Sequence, residues 1–168
     1  DITARFESRR NRSFVYFQPP NVDEAPPLQH DDNAVDAVLT MAAMMKAKPI
    51  SSMQAMRKTV VDGSNTSGFQ RTTLVATDGE IITEEGIVGI DVICLEEDSA
   101  RKLDSELTTD GEVVYYTLDR LGMPLVEIAT APDIQTPEHA KEVALHLGTI
   151  LRDTRLVRRG LGLSLIHI

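Results

Sequence analysis

The sequence predicts an α+β fold with a mostly antiparallel sheet and flanking helices, and two kinds of pattern predict it. Two-residue turn signals, at 78–79 and 110–111, stand between runs rich in β-branched residues, which is typical of hairpins. Two longer stretches, 33–46 and 136–151, carry apolar residues at helical spacing behind capping residues. The chain of 168 residues is 42% hydrophobic, which suits one globular domain.

Each predicted helix has a recognisable beginning. A residue among 31–33 can cap the first helix, which runs to about Lys46 and turns an apolar stripe toward the core. Thr136 caps the second helix, and Pro137 takes its first position, where proline is tolerated. The apolar residues of the second helix are Ala140, Val143, Ala144, Leu147, Ile150 and Leu151.

Strands are predicted where short β-rich runs lie between turn signals. They cover 14–18, 56–61, 69–76, 80–83, 87–95, 113–118 and 125–130. The turn signal at 78–79 makes 80–83 a strand of its own, and 96–106 is predicted to be helical. A proline-rich loop, 19–33, connects the first strand to the first helix.

Composition excludes several classes of protein. The single cysteine, Cys94, rules out an internal disulfide and a cysteine-rich zinc site. Aromatic residues make up 4% of the chain and tryptophan is absent, so we do not expect base stacking to dominate a nucleic-acid contact. No apolar run approaches the roughly 18 residues that a membrane span needs.

The net charge of −9 is concentrated in one stretch of the sequence. Residues 78–112 hold 12 acidic and two basic side chains, a local charge of −10, so the rest of the chain sums to +1. Two arginine clusters lie in that rest, within 5–12 and 152–159. They are either solvated surface cations or contacts for a phosphate backbone, and the sequence leaves both interpretations open.

Glu127 is the most informative single residue because it interrupts an apolar strand. It shares a face with Leu125 and Ala129 and has no cationic neighbour in sequence. A buried carboxylate at this place needs an ion-pair partner or a metal ion. A solvated sheet face would explain the same residue without any function.

A second acidic cluster, Glu96, Glu97 and Asp98, follows directly after the apolar run 90–95. Carboxylates at strand ends are suited to Mg²⁺, which usually takes one or two of them together with water and a substrate phosphate. The alternative is that the cluster forms the acidic first turn of the helix predicted at 96–106.

The polar stretch 62–68 is rich in glycine and serine, so it offers backbone N–H groups and hydroxyls to an anion. It lacks the Lys-Ser/Thr pair of a phosphate-binding loop, and an ordinary hairpin loop fits it too. Arg120 can present a guanidinium to a phosphate or carboxylate, or belong to a plain turn. The isolated histidines are interpreted as surface or satisfied residues; they are His30, His139 and His146.

Several longer segments together resemble one known family. They are 56–72 (MRKTVVDGSNTSGFQRT), 95–98 (LEED), 118–122 (LDRLG), 124–130 (PLVEIAT) and 137–162. In these segments the chain resembles the archaeal E-type subunit of glutamyl-tRNA(Gln) amidotransferases and, more distantly, the bacterial and organellar B-type subunit. The stretch 62–72 is similar to the archaeal form only.

The resemblance implies, over 1–162, an incomplete catalytic cradle domain similar in fold to glutamine synthetase. It implies a ligase that converts Glu-tRNA(Gln) to Gln-tRNA(Gln), using ATP and Mg²⁺ to phosphorylate the tRNA-bound glutamate before ammonia displaces the phosphate. The implied partners are the tRNA and a glutaminase-like D-type subunit that supplies the ammonia, in a heterotetramer of two D-type and two E-type subunits. The cytoplasm is the implied location, without a membrane.

The same resemblance implies roles for individual residues. Glu96 and Glu127 are the expected Mg²⁺ ligands, with Glu97 as a further one. Glu96, Glu127 and Arg120 are the expected catalytic residues. The residues expected to bind ATP are Ser64, Asn65, Gln70 and Arg71.

Parts of the family pattern have no counterpart in this sequence. They are an N-terminal Gly-Leu-Glu-Ile-His motif and the downstream helical and tail domains, so we expect the chain alone to be inactive. Residues 163–168 resemble the translation of a transposon-end adapter used in sequencing libraries and are excluded from the fold as a scar. The alternative function is a non-catalytic scaffold for tRNA or a partner protein, which has no need of two carboxylates in one cavity.

Overall fold

The computed structural model describes residues 5–7, 14–16 and 29–157. Within these ranges the chain forms nine strands and two helices. The strands are β1 (Arg5–Glu7), β2 (Phe14–Tyr16), β3 (Lys48–Pro49), β4 (Ala55–Thr59), β5 (Phe69–Thr83), β6 (Gly86–Glu97), β7 (Arg101–Thr108), β8 (Gly111–Thr117) and β9 (Pro124–Thr130). The helices are α1 (Asp32–Met44) and α2 (Pro137–Thr154). Residues 163–168 and most of the predicted loop 19–33 lie outside the described ranges.

The strands form two sheets. One has the order β2-β1-β8-β7, with antiparallel pairs at both ends and a parallel contact between β1 and β8. The other contains β3-β5-β6-β9, with β4 paired to β5. Only two residues, 84–85, join β5 to β6, and such a short connection requires antiparallel strands. The predicted class, α+β with a mostly antiparallel sheet and helices, is confirmed.

The described residues cluster into two compact units. Unit 1 comprises the described parts of Asp1–Gln29, Ala55–Thr72 and Glu96–Leu125. Unit 2 comprises those of His30–Gln54, Thr73–Leu95 and Val126–Ile168. The unit boundaries therefore fall inside β5, β6 and β9.

Both helices of unit 2 begin at the caps that the sequence predicts. The carboxylate of Asp31 accepts from the backbone N–H groups of Asn33 (2.8 Å) and Ala34 (3.3 Å), which have no partner inside the helix. At α2, the hydroxyl of Thr136 accepts from the N–H of His139 at 3.0 Å. α2 ends at Arg155, whose backbone is left-handed with φ 58°.

One hydrophobic core holds unit 2 together. The apolar stripes of α1 and α2 contribute to it with the inward residues of β5 and β6, and the most buried side chains include Met45, Ile81, Val88, Ile90 and Ile93. His139 is also buried, and its Nε2 lies 3.0 Å from Thr83 Oγ1. This histidine is therefore a satisfied interior residue, as the sequence predicts.

The predicted hairpin turn at 78–79 is wrong. β5 continues through both residues, and the turn lies six residues further along, at 84–85. Asp78 has a φ of 55°, which marks an irregularity inside the strand. At this point Glu80 N–H donates to the carbonyl of Met45 at 2.8 Å, so the irregular part of β5 is hydrogen-bonded to the residue that follows α1. An Asp-Gly pair serves a bulge as well as a turn, because both need unusual backbone angles.

The predicted helix over 96–106 is also wrong. Residues 101–108 form β7, which pairs antiparallel with β8. The turn between them lies at 109–110, one residue earlier than the predicted 110–111, because Gly111 already belongs to β8. Ala100, Leu103 and Leu107 stand at helical spacing, but pairing with β8 satisfies the backbone of this segment instead. Glu96 and Glu97 are consequently the last residues of strand β6, so they are not the first turn of a helix.

Neither helix in the described part of the chain combines the length and apolar character needed to cross a membrane.

Candidate active site

An open cleft of about 300 Å³ lies within unit 1. Three segments form its wall: the loop 62–68 with the start of β5, the end of β6, and the turn 119–122. Its lining residues are Asn65, Thr66, Ser67, Phe69, Arg71, Glu97, Asp98, Leu121 and Gly122. Three of the residues predicted to act in the site, Asn65, Arg71 and Glu97, therefore share one cavity.

Glu96 is a buried carboxylate beside this cleft, with 4% of its side chain exposed. Its Oε1 accepts from the hydroxyl of Thr72 at 2.7 Å and from the ammonium of Lys58 at 3.1 Å. Its Oε2 accepts from the amide of Gln70 at 3.3 Å. A buried charge is tolerated when it is paired and hydrogen-bonded, and here three donors from β4 and β5 satisfy this condition.

Glu97, the next residue, faces the cleft and forms an ion pair with Arg71. Its backbone carbonyl accepts from Gln70 Nε2 at 2.9 Å. Gln70 thus contacts both acidic residues, because its amide also reaches the Glu96 carboxylate. The predicted ATP-binding residues Gln70 and Arg71 are therefore placed against the predicted metal ligands Glu96 and Glu97.

Arg120 lies in the turn that closes the cleft on another side. Its Nε is 3.3 Å from the carboxylate of Asp98, and both side chains are largely buried. Backbone hydrogen bonds fix the same two segments, from Asp98 N–H to the carbonyl of Met123 (2.8 Å) and from Gly122 N–H to that of Asp98 (2.9 Å). Arg120 therefore helps to hold the cleft wall through Asp98, which itself lines the cleft.

The loop 62–68 is fixed at its first residues. The phenol of Tyr116 donates to the carbonyl of Asp62, and Ala100 N–H donates to that of Ser64 at 2.7 Å. Gly63 has a φ of +84°, and an added Cβ would lie 3.5 Å from the Tyr116 ring. Burial raises the pKa of Tyr116, and the charges of Asp62 and Glu112 add to that rise. The loop is consequently held in one conformation above the cleft.

Ser64 stabilises the ionised form of Asp62. Its hydroxyl and its backbone N–H both donate to the Asp62 carboxylate, at 2.6 and 2.9 Å, and these bonds lower the pKa of Asp62 below 3.8. Because the folded pKa is depressed, the stabilisation is present above pH 3.8 and is lost as the pH falls through the lowered value.

Replacing Ser64 with Ala is expected to raise the pKa of Asp62 toward 3.8, because the larger of the two hydrogen bonds is removed. The measurement is an NMR titration of the Asp62 carboxyl in the wild-type and substituted proteins. Ser67→Ala is the matched control, since the Ser67 hydroxyl donates to the carbonyl of Phe69 instead. Equal Asp62 titration curves in all three proteins would contradict this account.

Mg²⁺ fits the chemistry of the two adjacent carboxylates. It prefers oxygen ligands and usually takes only one or two carboxylates, completing its shell with water and substrate phosphate. Among residues 29–157 no group of three or more His, Cys, Asp or Glu side chains is arranged to hold a metal ion. Glu97 faces the cleft and is suited to contribute part of a metal site that phosphate and water complete. Glu96, its neighbour in the strand, contacts Thr72, Gln70 and Lys58 instead, so its ligation of the same ion stays a prediction.

Glu127 lies in β9 and is exposed, as a solvated sheet face would require. It belongs to unit 2, whereas Glu96 belongs to unit 1. The joint ligation of one ion by Glu96 and Glu127 stays a prediction.

Sequence reasoning missed two residues of the site, Lys58 and Thr72, and it missed the pairing of Asp98 with Arg120. Lys58 and Thr72 stand 38 and 24 positions before Glu96, so no local pattern connects them to it. The alternation of side chains along β5 gives a weak signal, because Gln70 and Thr72 stand on the same face of that strand.

Comparison with known proteins identifies the class to which this fold and cleft belong. The family model described as GatB/GatE catalytic domain matches residues 6–163, and the chain belongs to that family.

Three curated relatives of the chain are all E subunits of glutamyl-tRNA(Gln) amidotransferases. The chain is 53% identical over 140 residues to the E subunit of Methanosarcina acetivorans, covering 83% of this chain and 22% of that protein. It is 49% identical over 168 residues to the E subunit of Methanocaldococcus jannaschii and 48% identical to that of Pyrococcus furiosus, each covering 96% of this chain and 26% of the relative. The chain thus spans about a quarter of the length of these relatives.

Proposed function

We propose that this chain supplies the activating site of an ATP-dependent glutamyl-tRNA(Gln) amidotransferase, which converts Glu-tRNA(Gln) to Gln-tRNA(Gln). The observation that carries the proposal is the cleft of unit 1, where the Glu97 carboxylate and the Arg71 guanidinium stand beside a polar loop, with the buried Glu96 next to Glu97 in β6. Family membership and relatives with this name support the same reaction.

The reaction requires activation because a carboxylate is a poor acyl donor. In the first step an oxygen of the glutamate γ-carboxylate attacks the γ-phosphorus of ATP; the bond to the β-phosphate oxygen breaks and ADP leaves. In the second step ammonia attacks the carbonyl carbon of the acyl phosphate. The C–N bond forms, the C–O bond breaks, phosphate leaves, and the nitrogen loses a proton to give the amide.

Glu96 and Glu97 would hold Mg²⁺ in this site, and Glu127 is proposed as a further ligand. The bound ion neutralises negative charge on the transferred phosphoryl group. Thr72 and Lys58 orient the Glu96 carboxylate, so the ligand is fixed before substrate arrives. The position of both glutamates at the end of a strand gives the site a rigid support.

The loop 62–68 and the start of β5 would contact the nucleotide. Asn65 is buried in the wall of the cleft, and the guanidinium of Arg71 is suited to a phosphate. Ser64 and Gln70 act less directly, since their polar groups hold Asp62 and the two glutamates, respectively. We therefore assign direct phosphate contact to Arg71 and positioning to Ser64 and Gln70.

The whole reaction needs partners, and these complete the proposal. A glutaminase-like D-type subunit would release ammonia from glutamine, and two such subunits would assemble with two of the E type. The tRNA brings the reacting glutamate. The cytoplasm, where aminoacyl-tRNA is made and used, is the proposed location.

The test is conversion of Glu-tRNA(Gln) to Gln-tRNA(Gln) by a complete subunit carrying these residues, assayed with and without ATP, Mg²⁺ and the amidase partner. Omission of ATP or Mg²⁺ should abolish the acyl phosphate and the amide. Conversion that continues without ATP would contradict the proposal. Binding of tRNA without any conversion would favour the non-catalytic scaffold.

Arg120→Ala in that complete subunit is expected to lower the rate of glutamate phosphorylation about tenfold, because the cleft wall loses its ion pair with Asp98. The rate is measured as Glu-tRNA-dependent ADP release. Lys48→Ala is the matched control, since Lys48 is an exposed cation of unit 2, 3.8 Å from Asp78, and does not line the cleft. Unchanged turnover in Arg120→Ala would remove this residue from the site.

A further inference from the structure

The two carboxylates at the end of β6 are each compensated by a cation of the same chain. Glu96 has Lys58 at 3.1 Å, and Glu97 has Arg71. The charges of these two ion pairs therefore sum to zero.

The pair between Glu97 and Arg71 is the one that faces the cleft, since both residues line it. The Arg71 side chain is 13% exposed and that of Glu97 is 33% exposed. The cleft residues from the loop, Asn65, Thr66 and Ser67, carry no charge. An entering phosphate therefore meets a guanidinium already paired with a carboxylate, and an entering cation meets a carboxylate already paired with a guanidinium.

We propose that Glu97 and Arg71 are a built-in pair that exchanges partners on binding, with Glu97 passing to the divalent cation and Arg71 to the nucleotide phosphate. The inference rests on the proposed function. It adds an explanation of how the two side chains are stabilised before the ligands bind. The backbone of Glu97 is held by Gln70 through a separate hydrogen bond at 2.9 Å, so only the side chain has to turn.

The exchange makes binding of the two ligands mutually favourable. A cation that captures Glu97 releases Arg71 for phosphate, and a phosphate that captures Arg71 releases Glu97 for the cation. Each ligand thus breaks the ion pair that the other would otherwise have to break alone. The free energy saved in this way is the coupling free energy between the two sites. Neither ligand alone gains the full attraction of its residue.

The test measures each ligand separately in the complete subunit, because ATP binds Mg²⁺ in solution and would mask the coupling. Mn²⁺ without nucleotide is measured by electron paramagnetic resonance, and ATP with EDTA by equilibrium dialysis. In Arg71→Met, Mn²⁺ should bind about tenfold more tightly and metal-free ATP about tenfold more weakly. These opposite changes arise from one substitution, and a merely structural role for Arg71 would weaken both.

Glu97→Gln should give the mirror image, with weaker Mn²⁺ binding and tighter metal-free ATP binding, because Arg71 is released. Arg71→Lys keeps the positive charge and should restore much of the wild-type pattern. Lys48→Met, which removes an exposed cation of unit 2 that lies 3.8 Å from Asp78, should leave both affinities unchanged.

The outcomes separate this inference from the proposed function. If the wild-type protein binds both ligands but Arg71→Met and Glu97→Gln weaken both, the exchange is wrong and the ATP site stands. If Mn²⁺ and ATP fail to bind the wild-type protein even together, the proposed function fails as well. Thermal unfolding of each variant shows whether it is folded, and a variant that is unfolded is replaced by another neutral substitution, Arg71→Gln or Glu97→Ala, for the same comparison.

Discussion

Glu96→Gln in the complete subunit is expected to reduce ATP-dependent formation of Gln-tRNA(Gln) by about 100-fold or more. The amide keeps the shape of the side chain but removes the charge that the proposed Mg²⁺ site needs. Only one of its two terminal atoms can still accept, so its NH₂ group would face either Thr72 and Lys58 or the amide of Gln70, all of which now donate to the carboxylate. The measurement is amide formation at saturating ATP, together with Mn²⁺ binding.

Glu112→Gln is the matched control for this loss. Glu112 is an exposed strand residue whose only described ion pair is a long one, 3.7 Å from Lys102. Such a surface pair contributes little, so turnover should stay within about twofold of wild type. Full activity in Glu96→Gln, with the protein folded, would remove this carboxylate from the chemistry.

Gly79→Ala is expected to lower the free energy of unfolding by about 1–3 kcal/mol. An added Cβ would lie 2.9 Å from the carbonyl oxygen of Met45, 3.0 Å from the Ala47 Cβ and 3.2 Å from the Ile90 Cβ. Met45 and Ala47 belong to the segment that follows α1, and Ile90 lies in the core, so none of these neighbours can move aside easily. Urea-induced unfolding followed by circular dichroism measures the change.

Gly148→Ala tests the same exchange where space is available. Gly148 lies inside α2, and a Cβ there meets only the far end of the Arg152 side chain, at 3.3 Å. Alanine is a better helix former than glycine, so stability should rise by up to about 1 kcal/mol. A loss of stability at both positions would show that the tight contact at Gly79 is not the cause.

The helices could be predicted because their determinants are local. Asp31 and Thr136 each cap the turn that follows them, and the apolar stripe behind each cap needs only short-range spacing. The continuation of β5 through 78–79 could not be predicted, because it depends on a hydrogen bond to the end of α1, about 30 positions earlier in the chain. There the Met45 carbonyl accepts from Glu80 and makes a bulge the better solution.

The candidate site also combines residues that a local pattern indicates with contacts that depend on distant parts of the chain. Glu96 and Glu97 stand out in sequence because charge follows an apolar strand, and the structure places them with Gln70 and Arg71. The contacts of Glu96 with Lys58 and Thr72 depend on strand pairing, which a single sequence does not specify. The relation of Glu127 to this cluster remains a prediction for the same reason, since it depends on contacts far apart in the chain.

The spacing of the Glu96 contacts also constrains synthesis. Lys58 and Thr72 are translated 38 and 24 residues before the carboxylate they hold. A nascent polypeptide that has emerged from the ribosome only as far as β5 therefore exposes these donors without their acceptor. The polar contacts of Glu96 can form only after the end of β6 has left the exit tunnel, so Lys58 and Thr72 stay without this acceptor during the earlier part of translation.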